Sequence, residues 1–275
     1  MRNPSGLEAV ILCGGLGTRL REETEYKPKP MVEIGGRPIL WHIMKTYAAF
    51  GVRDFVLCLG YRGDRIRDYF LNYRHRQADL AVELSDSSVE VLGGGDVEDW
   101  RVVLADTGAE TQTGGRIKRA LRYVRGERFF ATYGDGVADV DIGRLLAFHE
   151  RAGRAATVTA VRPSSRYGEI VIDAGVVRTF QEKPQVNDGW INGGYFVFER
   201  RAFDHVSMDP RLTLESDVIP DIVGRGDLAA YPHEGFWQCM DTYREMVLLN
   251  DLWARGQAPW QPRQAEGDDR VRRLA

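Results

Sequence analysis

Ala9-Val10-Ile11-Leu12-Cys13-Gly14-Gly15-Leu16-Gly17-Thr18-Arg19 runs five apolar residues into three glycines within four positions. A short continuous apolar run that ends in glycines reads as a strand buried on both faces, the kind found in parallel sheets covered by helices. Its glycines let backbone N–H groups approach phosphate oxygens with no side chain in the way, and Arg19 and the later Lys29 supply positive charge. This is not the common phosphate loop. G-x-x-x-x-G-K-[ST] is absent, and Leu20 stands where a dinucleotide fingerprint has its third glycine.

Beyond the loop, Ile39, Leu40, Ile43, Met44 and Tyr47 recur at helical spacing. Phe55–Leu59 is again continuously apolar, and Ile66, Tyr69, Phe70 and Tyr73 share one helical face. Helix Ile117–Val124, strand Phe129–Tyr133 and a helix capped by Asp141 continue the alternation. Strand–helix alternation requires parallel strands with right-handed crossovers. The predicted fold is therefore α/β, a doubly wound, mostly parallel, Rossmann-like sheet. Val82–Ala105 reads as an inserted β ribbon, punctuated by Gly93-Gly94-Gly95. From Ala155 the pattern is β-rich. Residues 7–260 read as one domain, with a strand–helix half (7–150) and a β-rich half (151–260). The charged, aperiodic residues 261–275 read as a disordered tail.

At 275 residues, 43% hydrophobic and 28% charged, the chain can bury a full core. A net charge of -3 gives no general attraction to nucleic acid. No apolar stretch reaches the roughly 18 to 20 residues that span a bilayer, and Met1–Gly6 lack a secretory core, so the expectation is a cytoplasmic protein without membrane partners. Cys13, Cys58 and Cys239 are far apart and odd in number, which fits reduced thiols. His42, His75, His149, His205 and His233 show no zinc-ligand spacing.

The chemistry-bearing residues lie at predicted strand and helix ends. Asp135, in Gly134-Asp135-Gly136, follows strand Phe129–Tyr133 and so stands where open α/β sheets bind ligands, although G-D-G is also a common tight turn. Asp241 follows a strand and precedes a helix. It reads as an N-cap or, paired with Asp135, as half of a Mg²⁺ site at a phosphate. Lys29 is framed by Pro28 and Pro30, which restrict its backbone. Thr113-Gly114-Gly115-Arg116 opens a helix whose N–H groups favour an acceptor-rich ligand. In the β-rich half, Tyr167-Gly168-Glu169, Glu182-Lys183-Pro184 and Asn192-Gly193-Gly194 mix carboxylate, amine and amide groups with glycine, a combination suited to sugar hydroxyls.

Taken together, these segments resemble the sugar-1-phosphate nucleotidylyltransferase family. The resemblance rests on Leu12–Leu20, Lys29-Pro30-Met31, Gly134-Asp135-Gly136, Glu182-Lys183-Pro184, Asn192-Gly193-Gly194 and Met240-Asp241-Thr242, in the family's order. Lys27–Gly36, Trp41–Lys45 and Phe180–Pro184 further match its glucose-1-phosphate cytidylyltransferase branch. The resemblance implies transfer of a cytidylyl group from CTP to α-D-glucose 1-phosphate, giving CDP-glucose and pyrophosphate for deoxysugar and O-antigen synthesis. It implies Arg19 and Lys29 as catalytic cations and Mg²⁺ on Asp135 and Asp241. It also implies Leu12, Gly14, Gly15, Gly17, Thr18, Thr113, Gly114, Gly115 and Arg116 around the nucleotide. Tyr167, Gly168, Glu182, Lys183, Asn192 and Gly193 would hold the sugar. A homo-oligomer, a hexamer in this branch, is a further implication. Arg166-Tyr167-Gly168-Glu169 departs from the Arg-Phe-Gly pattern of related chains, which leaves the preferred sugar open. Other nucleotide and hexose phosphate pairs, or a nucleotide sensor without turnover, remain the alternatives.

Overall fold

A computed structural model describes residues 6–17, 20–94, 97–163, 169–173, 176–181 and 189–261. The opening strand is β1 (Glu8–Leu12), followed by the short turn α1 (Arg21–Thr24), the pair β2 (Glu33–Ile34) and β3 (Arg37–Pro38), and helix α2 (Ile39–Ala48). Next come β4 (Asp54–Leu59), α3 (Gly63–Leu71), β5 (Asp79–Glu83), β6 (Ser88–Gly93) and β7 (Arg101–Asp106). After these lie α4 (Thr113–Ala120), β8 (Arg128–Tyr133), β9 (Gly136–Ala138) and α5 (Ile142–Ala152). The second half adds β10 (Ala156–Val161), the hairpin β11 (Glu169–Asp173) and β12 (Val176–Gln181), and β13 (Ile191–Glu199). It closes with α6 (Ile219–Gly224), β14 (Leu228–His233), β15 (Trp237–Cys239) and α7 (Tyr243–Ala254).

Seven strands form the central sheet in the order β14-β10-β13-β8-β1-β4-β7. The strand β1 runs parallel to both β4 and β8, β4 to β7, and β10 to β14, whereas β13 is antiparallel to its neighbours β8 and β10. The doubly wound, mostly parallel fold is therefore present, with one reversed strand. The expected ribbon needs correction. Its part up to Gly93 belongs to the separate hairpin β5–β6, but Arg101–Asp106 is the parallel edge strand β7 of the main sheet. Short apolar segments of hairpin and edge strand carry the same local pattern, so periodicity alone did not divide them.

The apolar run in β1 has a direct structural cause. Ala9 and Ile11 pack into a core on one face of the sheet with Phe55 and Leu57, while Val10 and Leu12 pack into a core on the other with Val56 and Cys58. All five residues Ala9–Cys13 are buried. The chain leaves β1 for β4 on one side and returns to β8 on the other, so β1 and β8 flank the topological switch point where such sheets place ligands. Leu12 is level with Tyr133, and the Gly134 N–H donates to the Leu12 carbonyl at 3.0 Å, so the glycine loop and Gly134-Asp135 leave the sheet at the same end.

Local signals account for several helix starts. Asp141 caps α5 by accepting from the Arg144 N–H at 2.8 Å. For α7 the cap is Thr242 rather than Asp241, in a capping box with Glu245. The C-terminal segment is anchored on His42, which is buried. Its Nε2 lies 2.8 Å from the Ile34 carbonyl oxygen, and the Trp260 indole N–H donates to its Nδ1 at 3.4 Å. Burial pulls the His42 pKa down to about 4.

Candidate active site

The glycine loop forms one wall of a cavity of about 400 Å³ at the carboxyl ends of β1 and β8. Leu12, Gly14, Gly15 and Gly17 line it with Lys29, Thr113, Arg116, Tyr133 and Asp135. Gly17 adopts φ +62°, a conformation that disfavours side chains. Thr24 hydroxyl donates to its carbonyl at 3.0 Å, which pins the end of the loop.

Arg116 is buried at the back of this cavity, and both terminal nitrogens of its guanidinium are engaged by the protein. One terminal nitrogen donates to the Leu59 and Gly108 carbonyls at 2.9 Å and to the Thr107 hydroxyl at 2.8 Å. The other donates to the carbonyls of Gly14 at 3.0 Å and Ala109 at 3.1 Å. One planar fork thus fixes the glycine loop against the loops that follow β4 and β7. A Cβ on Gly14 would lie 2.2 Å from that guanidinium, so glycine is required there by a side chain as well as by any ligand. Gly114 and Gly115 do not line the cavity. A Cβ on Gly114 would meet the Thr213 carbonyl carbon at 2.9 Å, and one on Gly115 would meet Thr111 Cγ2 at 3.0 Å and Asp209 O at 3.1 Å. Their smallness lets α4 pack closely on the 209–213 segment.

A second cavity of about 350 Å³ lies beside the first. Asn192, Gly193, Tyr195, Glu215, Trp237 and Asp241 contribute to its lining, and Tyr133 and Asp135 line both cavities. The Trp237 indole N–H donates to the Gly193 carbonyl at 2.7 Å. Of the residues expected around the sugar, Asn192 and Gly193 are therefore brought here. Tyr167, Gly168, Glu182 and Lys183 lie outside the described residues, as do Thr18, Arg19 and the expected tail from 262 onward.

Asp135 and Asp241 are 106 positions apart, yet a short ladder brings them together. The strands β9 and β15 pair antiparallel with Gly136 opposite Cys239, and the Met240 N–H donates to the Asp135 carbonyl at 2.8 Å. Both carboxylates then converge on the buried Lys29 ammonium, which donates to Asp135 Oδ2 at 2.6 Å and also to Asp241 Oδ1. Burial pulls the Lys29 pKa down, but the Asp135 charge and hydrogen bonds to both aspartates outweigh it, so the ammonium titrates above its ordinary value. Two acceptors already facing one cation are the donor chemistry that a hard divalent ion needs.

Cys239, Asp241 and Glu245 also cluster. There Glu245 Oε2 is engaged by the Asp241 and Thr242 N–H groups, and burial followed by the nearby Asp241 and Glu245 charges raises the Cys239 thiol to about 12.

A nucleotidyl transferase family model matches residues 8–245. The chain belongs to that family. A relative from Salmonella typhi, named glucose-1-phosphate cytidylyltransferase, is 49% identical over 92% of this chain and 98% of its own length. A Drosophila melanogaster relative, named mannose-1-phosphate guanylyltransferase catalytic subunit beta, is 30% identical over 93% of this chain and 66% of its own. In fold, the chain is similar to the crystal structure of HddC from Yersinia pseudotuberculosis, with a TM-score of 0.64 at 23% identity over 90% and 99% of the two chains. Family membership matches the architecture, with its two cavities at the switch point of the sheet. Sequence reasoning missed Tyr133 and Glu215. The strand-end position of Tyr133 was a usable signal; Glu215 carried none.

Proposed function

We propose that the chain is a glucose-1-phosphate cytidylyltransferase, transferring the cytidylyl group of CTP to α-D-glucose 1-phosphate with release of pyrophosphate. The observation that carries this reading is the meeting of two cavities at Asp135, beside Lys29 and Asp241. The nucleotide occupies the first cavity and the sugar phosphate the second, so the attacking oxygen meets the α-phosphorus at their junction. CTP and glucose 1-phosphate follow from the 49% relative, against 30% for the relative named for the guanylyl and mannose pair. One continuous sheet built from strands of 7–150 and 151–260 supports treating 7–260 as a single domain.

In this mechanism the sugar phosphate is already ionised near neutral pH, so no general base is required. Lys29 moves its charge onto the reacting phosphates. Arg19 holds the departing pyrophosphate. Asp135 and Asp241 would hold Mg²⁺, which when bound neutralises charge on the α-phosphate. The glycine loop, braced by Arg116, presents backbone N–H groups to the remaining phosphates.

A cytoplasmic location and a role in O-antigen deoxysugar supply belong to the same reading. Among the described residues no helix is long and apolar enough to cross a membrane. A homo-oligomer is supported by exposed apolar residues on and near the β5–β6 hairpin, Leu71 (77% exposed), Val82, Leu84 (89%) and Leu92, and the hexamer is the state that the resemblance implies. Sedimentation tests it: Leu84→Lys is expected to lower the assembly state, and a monomeric parent protein would contradict it. The activity is tested by initial rates of pyrophosphate release. CTP with glucose 1-phosphate should lead, and another nucleotide ahead by tenfold or more overturns the assignment.

A further inference from the structure

The boundary between the two cavities is held by a carboxylate that neither the loop motifs nor the reaction requires. Glu215 belongs to a π-helical turn, Leu214–Val218, a local irregularity that often marks functional positions. Its Oε2 accepts from the Thr113 hydroxyl at 2.7 Å, and its Oε1 accepts from the Tyr133 hydroxyl at 2.5 Å. The Asn192 amide donates to the same Tyr133 oxygen at 3.1 Å. The chain Thr113, Glu215, Tyr133, Asn192 thus crosses from the first cavity to the second.

An acid in a first helical turn can serve only to cap the helix, but here other residues do that. Thr213 accepts from the Ser216 N–H at 3.1 Å, and Asp217 accepts from the Thr213 N–H at 2.6 Å and from its hydroxyl at 2.8 Å. Glu215 instead reaches partners 102 and 82 positions away. Burial, followed by the Glu215 charge, keeps the Tyr133 phenol protonated, and so fixes it as the donor. An ionised carboxylate offers about four acceptor positions, and these two bonds use about half of them.

We propose that Glu215 is a specificity-determining residue of the second cavity, holding Tyr133 and Asn192 in place while accepting a hydrogen bond from one hydroxyl of the hexose. The inference rests on the reading that this cavity takes the sugar. A carboxylate repels the phosphate end of the substrate and attracts hydroxyl donors, so it suits the hydroxyl-bearing side of the ring. A site built around such a bond discriminates strongly against an analogue lacking that hydroxyl.

The test compares kcat/KM for glucose 1-phosphate and its 2-, 3-, 4- and 6-deoxy analogues in the parent enzyme, Glu215→Gln and Asn192→Ala. The parent should disfavour at least one analogue by about tenfold or more. In Glu215→Gln the penalty for one such analogue should shrink to about twofold or less, with KM for CTP moved less than about twofold. A purely structural role would lower all five sugars together and leave their ranking intact, and that result overturns the proposal. So does a parent enzyme indifferent to every deoxy analogue. If Glu215→Gln keeps the ranking while Asn192→Ala raises KM for the sugar, Glu215 alone is misassigned. If Asn192→Ala also leaves it unmoved, the sugar-cavity reading falls with it. Should Glu215→Gln melt early, Glu215→Asp in the same panel gives the same decision.

Discussion

The two cavities are walled by different parts of the chain. The first is bounded by two stretches continuous in sequence, the 12–17 glycine loop and the 109–113 segment that follows β7, and Arg116 ties the two together. The second draws Tyr133, Asn192, Glu215 and Trp237 from separate elements. A glycine loop takes groups common to every nucleoside triphosphate. A wall of scattered side chains can be rebuilt residue by residue, which suits the substrate that differs most between relatives.

The largest effect is expected where the two cavities join. Asp135→Asn should leave the fold intact by circular dichroism and cut turnover by about a hundredfold or more, because it removes a charge at the reacting phosphate. Unchanged turnover would separate the cavities and remove the metal assignment.

Arg116→Lys sharpens the contrast. A lysine ammonium cannot reproduce the planar fork, and stranded carbonyls should lower stability by about 2 kcal/mol. KM for CTP should rise about tenfold while KM for the sugar phosphate moves less than about twofold. Equal shifts in both would show that the cavities are not independently built.

The smallest effect on activity should come from His42, which touches neither cavity. Its pKa of about 4 in the folded chain lies below the ordinary 6.5, so the unfolded chain binds the extra proton first. Stability is therefore lost as pH falls from about 6.5 to about 4, by about 3 kcal/mol at the low end. Urea melts across that range should show a shallower slope for His42→Gln than for the parent protein, with kcat at pH 7.5 similar in both. A parallel slope would contradict the burial argument.

The same contrast explains what could be read in the sequence. The first cavity was legible because Leu12 to Gly17, Lys29 and Gly134-Asp135 are contiguous signals at the ends of strongly apolar strands. The pairing of Asp135 with Asp241 was legible only as two strand ends, and the β9–β15 ladder that joins them spans three residues on each strand, too short for periodicity to reveal. Glu215 was invisible because its partners are more than 80 positions away, so nothing local distinguishes it from a surface acid. Gly114 and Gly115 carry a two-sided signal. A glycine pair at a helix start fits ligand approach and helix packing equally, and the contacts around this pair are packing contacts. The ribbon ended too late for a similar reason, since an edge strand and a hairpin strand share one pattern.

The convergence of Asp135 and Asp241 is tested most directly by anomalous diffraction from crystals soaked with CTP and Mn²⁺. A manganese peak is expected within about 2.5 Å of a carboxylate oxygen from each aspartate, with Lys29 turned toward the phosphates. A nucleotide bound in the first cavity with manganese on its phosphates and neither aspartate in contact would contradict it.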